Sequence, residues 1–340
     1  MKFKRKFFFS FLTVLLTGFI FFIVGELIFR LVVPPPYRIG INDLNSYLRI
    51  YHSLVKADQE TGLTLRPNIL LVKDKDFYHS LTTNSLGFRG KEIDPSKPNI
   101  LCIGDSHTFG FGVDDENTYP TQLSTLLHNK YNVINMGVFS YSLTNEVALL
   151  KRYLHKLTPK IVIFGITVDD LSSSSTSFKN IAPQTEDIFT YRYFKYHSAF
   201  IRYLRAYWPN LQIKLGLKKP AHLTYRTQWE NEALIRPFRQ LLISTVELLE
   251  ARHVRVILMR YPFPSAVSLM EKGVHPLSKL LMEVAGAHKN TYTLRLLPIL
   301  EHYYEGMPSL FLEDGHPNER TYKIVATSLF DLIKEGKLLQ

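Results

Sequence analysis

The chain has 340 residues, enough for one large domain or two ordinary ones. Apolar residues make up 46% and charged residues 21%, a balance that excludes an unfolded polar chain and supports a substantial core. The formal net charge is +11, and the single cysteine, Cys102, excludes an intramolecular disulfide framework. There is no low-complexity stretch and no repeat at a solenoid period.

Lys2, Lys4, Arg5 and Lys6 precede an uncharged apolar run from Phe7 to Val24. At helical rise such a run spans about 27 Å, close to the thickness of a bilayer core. Pro34, Pro35 and Pro36 then end any helix. A cleaved signal peptide would carry a shorter apolar region and a small-x-small site after it, and no such site follows. Residues 1–36 are therefore expected to be a basic tip and a single transmembrane anchor. The basic flank places the tip inside and the remainder outside, on the periplasmic face of a bacterial cytoplasmic membrane.

Residues 37–95 read as an aromatic-rich stalk that packs onto the main domain, and Thr83–Gly90 (TNSLGFRG) is rich in turn residues. The main domain, 96–340, alternates strands and helices. Strands are expected at 99–103, 131–135, 160–164, 254–259 and 291–297. Helices are expected at 118–129, 143–157, 230–253, 265–287 and 321–335. Continuous apolar strands such as Ile161–Phe164 suit a parallel sheet covered on both faces, so the fold class is α/β, doubly wound. Cys102 lies in such a strand and reads as a small core residue rather than a reactive thiol. Alternation breaks at Leu171–Thr176 (LSSSST), and residues 173–228 read as an insertion with a basic aromatic helix near Phe194–Trp208. Between Arg192 and Arg226 there is no Asp or Glu. An exported domain rarely meets nucleic acid, so an anionic membrane surface or polysaccharide is the expected partner.

Four blocks carry chemistry. The strand 99–103 runs into Gly104-Asp105-Ser106, which places a serine at the carboxyl edge of the sheet, where open α/β sheets hold ligands. Some 210 residues on, Glu313-Asp314-Gly315-His316 opens the last helix. A serine becomes a nucleophile at neutral pH when a base takes its proton, and the base needs an orienting carboxylate. His316 with Asp314 or Glu313 offers both. Gly137 follows the second strand and Asp169-Asp170 the third, so all should face one crevice.

Together these blocks resemble the SGNH/GDSL hydrolases. Gly104-Asp105-Ser106, extended by Thr108-Phe109-Gly110-Phe111-Gly112, is similar to the nucleophile block, and Gly137 falls at the oxyanion glycine. Asp169 stands where the family has asparagine, and Asp314-Gly315-His316 is similar to the acid–base block. The segment 83–89 resembles a lead-in of anchored bacterial members. The resemblance covers about residues 80–335. It implies a flavodoxin-like three-layer α/β/α fold, Ser106 as nucleophile, His316 as base, Asp314 (or Glu313) as acid, and no metal or cofactor. It implies an oxyanion hole from the backbone of Ser106 and Gly137, with a small acyl group carried by a glycan or glycolipid. Asp169 is a departure, because an ionised carboxylate at the hole would repel the developing oxyanion. A binding module that keeps the fold without activity is the reading from another class.

Overall fold

In the computed structural model, residues 2–32, 53–71, 79–171, 198, 200, 208, 211–217, 226, 228–268, 273–305, 309–312 and 315–340 are described. The first element is α1 (Lys2–Val32), in which the 20-residue stretch Phe9–Ile28 is long and apolar enough to cross a bilayer. Two antiparallel pairs follow: β1 (Val55–Asp58) with β2 (Gly62–Leu65), and β3 (Leu70–Leu71) with β4 (Leu81–Thr82). The alternating part is β5 (Asn99–Gly104), α2 (Ser106–Phe109), α3 (Tyr119–Leu126), β6 (Asn132–Asn135), α4 (Leu143–Leu157) and β7 (Ile161–Ile166). After residues 173–228 come α5 (Glu232–Glu250), β8 (Arg255–Arg260), α6 (Pro264–Ser268), α7 (Pro276–Ala287), β9 (Thr291–Leu294), α8 (Leu296–His302) and α9 (Glu319–Glu335).

The central sheet has the order β6-β5-β7-β8-β9, and every neighbouring pair is parallel. Relative to the chain this is the 2-1-3-4-5 order of flavodoxin-like folds, and the order reverses between β5 and β7. Because strand side chains alternate between faces, each strand feeds two cores. Leu101, Ile103, Val162, Phe164, Val256 and Leu258 pack in one layer under α4, α5 and α7. Ile100, Cys102, Ile161, Ile163, Ile257 and Met259 pack in the other, against α3, α8 and α9. The expected three-layer α/β/α architecture is therefore present.

The lead-in joins the first of these layers. Leu54, Val55, Leu63, Leu65, Leu81 and Phe88 are buried in the same cluster as the sheet. The Tyr141 hydroxyl donates to Leu63 O at 2.6 Å, and Arg152 on α4 reaches Asp58 and Glu60 at 2.7 and 2.6 Å.

Two elements differ from the sequence reading. The helix expected over 265–287 is two helices: Gly273 adopts φ +73° and Pro276 lacks the N–H an ongoing helix needs, so α7 starts afresh with His275 as its cap. The strand expected over 291–297 stops at Leu294, and α8 begins at Leu296. The expected basic helix at 194–208 lies almost wholly outside the described residues.

Candidate active site

The β5 strand ends in Gly104, and the chain turns at once into α2. Asp105 caps that helix, its Oδ1 accepting the His107 N–H at 2.8 Å, and Gly110 ends it with φ +88°. Ser106 is thereby the first residue of a single helical turn, at the carboxyl end of β5 and beside the point where strand order reverses. Glycines make room for this turn. A Cβ at Gly104 or Gly165 would come within 2.2 or 2.3 Å of the buried Thr108 Oγ1, and one at Gly137 within 2.2 Å of Phe109 N. Three strand ends thus approach α2 more closely than any side chain allows.

His316 arrives from the other side. Its loop is tied by Leu312 N–H to His316 O at 2.8 Å, and Gly315 takes φ +93°. Asn318 caps α9 through Thr321 N–H and fixes where the loop ends. The result is a distance of 2.8 Å between His316 Nε2 and Ser106 Oγ, across 210 positions of chain. The expected nucleophile and base are brought together. Asp314 and Glu313 lie outside the described residues.

Two rings from the loop that carries Ser106 lie against the His316 imidazole, His107 at 5.1 Å and Phe111 at 5.0 Å between centroids. His107 also lies 5.2 Å from Tyr261, and its Nδ1 is 3.3 Å from Asp105 Oδ1. The other Asp105 oxygen accepts the Thr167 hydroxyl at 3.1 Å. Burial pushes the Asp105 carboxyl up, but the charge and hydrogen bonds of His107 and the charge of His316 outweigh it and hold the group below its ordinary range. The Asp105 carboxyl is therefore shifted toward its charged form close to His316, a placement the sequence reading did not give it. The signal was within the motif, at the residues flanking Ser106.

Two further buried acids near it are shifted the other way. Burial pushes Glu146 well above the ordinary carboxyl value, and the charge of Asp105 adds to this. Burial does the same to Asp170, with Glu146 and Asp105 next in effect. Thr167 N–H bonds Asp170 Oδ2 at 2.7 Å, whereas neither oxygen of Glu146 has a hydrogen-bond partner among the described residues.

Of the oxyanion candidates, the Ser106 N–H lies in the first turn of α2. The Gly137 N–H donates to Asn135 Oδ1 at 3.0 Å, so an oxyanion would have to share or displace that bond. Asp169 is exposed in the turn after β7, while its neighbour Asp170 points inward. Cys102 is fully buried, and burial pushes its thiol up to about 12, so it is an inert core residue.

Arg89 is a site residue found only in three dimensions. It comes from the lead-in, is buried, and donates to the carbonyls of Phe109, Gly110 and Val113 at 3.0, 2.6 and 2.7 Å. It also pairs with Asp115 at 2.7 Å and lies over the Phe109 ring. One guanidinium thus pins the loop that carries Ser106, His107 and Phe111.

The model of the GDSL-like lipase/acylhydrolase family matches residues 102–324. The chain is 30% identical over 131 residues to an acetylxylan esterase of Xylanibacter ruminicola, an alignment covering 33% of this chain and 26% of that protein. The chain therefore spans about a quarter of that relative's length. Among solved structures, a lipase/acylhydrolase of Enterococcus faecalis is 16% identical, covering 70% of this chain and 96% of that one, with TM-score 0.42. A family 3 carbohydrate esterase of Clostridium thermocellum is 14% identical, covering 72% and 99%, with TM-score 0.40.

Proposed function

We propose, since the chain belongs to the GDSL-like lipase/acylhydrolase family, that it breaks a carboxylic ester through an acyl-Ser106 intermediate. The observation that carries this is the 2.8 Å contact between Ser106 Oγ and His316 Nε2. Ser106 Oγ attacks the ester carbonyl as His316 takes its proton. Asp314, or Glu313 in its place, orients the imidazole, and the negative Asp105 supports the imidazolium that forms. The oxyanion is held by the N–H of Ser106, with that of Gly137 exchanging from Asn135. His316 then returns its proton to the leaving alcohol. The acyl group passes from Ser106 to water, or to a sugar hydroxyl if the enzyme is a transferase.

The substrate is an O-acylated carbohydrate or lipid-linked glycan with a small acyl group, a reading supported by the acetylxylan esterase relative. The α1 helix anchors the enzyme in a bacterial cytoplasmic membrane with the catalytic domain on the periplasmic face. The test is hydrolysis of 4-nitrophenyl acetate by the detergent-solubilised chain. Ser106→Ala and His316→Ala should each lower kcat by about 10³-fold or more. The departure at Asp169 favours one second reading, a binding module without activity. Wild-type protein that neither turns over this ester nor is labelled at Ser106 by a phosphonate would establish that reading instead.

A further inference from the structure

The insertion carries a feature that catalysis does not use. Trp208 and residues 211–214 are helical, and Trp208, Leu211 and Leu215 are 50%, 45% and 61% exposed. Along the sequence they stand three and then four residues apart, the spacing that puts side chains on one side of a helix. An exposed apolar face of this kind marks a contact with something apolar. The surrounding stretch 192–226 holds eight Lys and Arg and no Asp or Glu. Apolar face, interfacial tryptophan and cationic flank together are the composition of a helix that lies in a bilayer surface.

A second observation says where this segment sits. Glu26, within the apolar stretch of α1, accepts the Ser198 hydroxyl at 2.7 Å and the Phe200 N–H at 3.0 Å. The Phe200 ring packs edge-on against Phe21 and Phe22, with centroids 6.0 and 5.9 Å away. A Cβ at Gly25 would come within 3.1 Å of that ring, so the small residue lies where the two segments approach. A carboxylate in a lipid-facing helix is costly, and the insertion supplies its partners at the Ile28 end of the apolar stretch.

We propose that the face formed by Trp208, Leu211 and Leu215 seats in the surface of an anionic lipid bilayer, held there by the docking of Ser198 and Phe200 on α1. This rests on the reading of α1 as a membrane anchor. It makes the insertion a second membrane contact, which holds the catalytic domain against the lipid and favours a membrane-borne ester over a diffusing one.

The test uses the full chain in nanodiscs of phosphatidylcholine and phosphatidylglycerol, with and without brominated acyl chains. Trp208 reports the contact, because the other tryptophan, Trp229, is 1% exposed and bonded to Val168 O. A Trp208→Phe variant gives the Trp229 baseline. The expected result is a blue-shifted Trp208 emission that brominated lipid quenches. Leu211→Asp with Leu215→Asp should abolish the quenching while circular dichroism and Tm stay unchanged, and Glu26→Leu should weaken it. Carbonate washing of membranes checks the anchor separately. Unquenched Trp208 in a chain that resists carbonate overturns the proposal and leaves the anchor standing. Release of the chain by carbonate overturns the anchor reading and the proposal with it. Unquenched Trp208 whose emission shifts when acetylated pectin is added makes the face a glycan platform and likewise overturns the proposal.

Discussion

His316, the proposed base, is held in place by what touches it. Its ring packs against those of His107 and Phe111, both about 5 Å away. Each aromatic contact of this kind is worth about 0.5–1.5 kcal/mol beyond its buried area. Phe111→Ala should therefore lower kcat by roughly 3- to 10-fold with little change in KM, since it loosens the base without touching the bound acyl group. Steady-state kinetics on 4-nitrophenyl acetate would show it. Glu146 offers a test of pH dependence. Its folded carboxyl lies above its ordinary value because of burial, so its protonated form favours the native state. That contribution is full below the ordinary carboxyl value and is lost as pH rises toward the folded value. Glu146→Met removes two buried oxygens without a hydrogen-bond partner among the described residues and should stabilise the protein by about 1–3 kcal/mol near pH 8, with a smaller gain near pH 4. Urea denaturation at the two pH values measures the difference, and a gap that narrows as pH rises would refute it.

At the scale of elements, the loop from Ser106 to Val113 is shaped by neighbours on every side. Gly104, Gly137 and Gly165 let three strand ends close on it, and Arg89 binds three of its carbonyls. Removing Arg89 leaves those carbonyls and Asp115 without their cation. Arg89→Met should cost about 3–5 kcal/mol of stability, as breaking a buried pair does. It should also lower kcat, because Phe111 and His107 ride on the same loop. Arg89→Lys keeps the charge but not the fork geometry, and should recover stability better than activity. Thermal melts and kinetics on the two variants separate these effects.

For the molecule as a whole, the lead-in is part of the core. Leu54, Val55, Leu63, Leu65, Leu81 and Phe88 fill the layer that α4 and α5 share with the sheet. A chain beginning at residue 53 should fold and retain esterase activity in solution. One beginning at residue 96 should be insoluble or molten, since it loses six buried apolar side chains and Arg89 together. Expression of both, read by circular dichroism and thermal melting, decides the matter.

The sequence by itself determined the sheet and the two groups that meet on it. Strands such as Ile100–Ile103 and Ile161–Phe164 are apolar at every position, a pattern that only burial on both faces satisfies, and Gly104-Asp105-Ser106 and His316 stand beside turn and cap residues that mark element ends. The same local logic failed over 265–287, where apolar periodicity runs on through Gly273 and Pro276 although the backbone cannot. Tertiary structure alone decided the rest: that Arg89 holds a loop some twenty residues away, that the Asp105 carboxyl is held below its ordinary range while those of Glu146 and Asp170 are pushed above theirs, and that residues 198 and 200 meet α1 at Glu26. Pattern along a chain reports how each segment is buried against some partner. Which partner it finds, and what charge a buried group then carries, depends on distances between segments that meet only when the chain is folded.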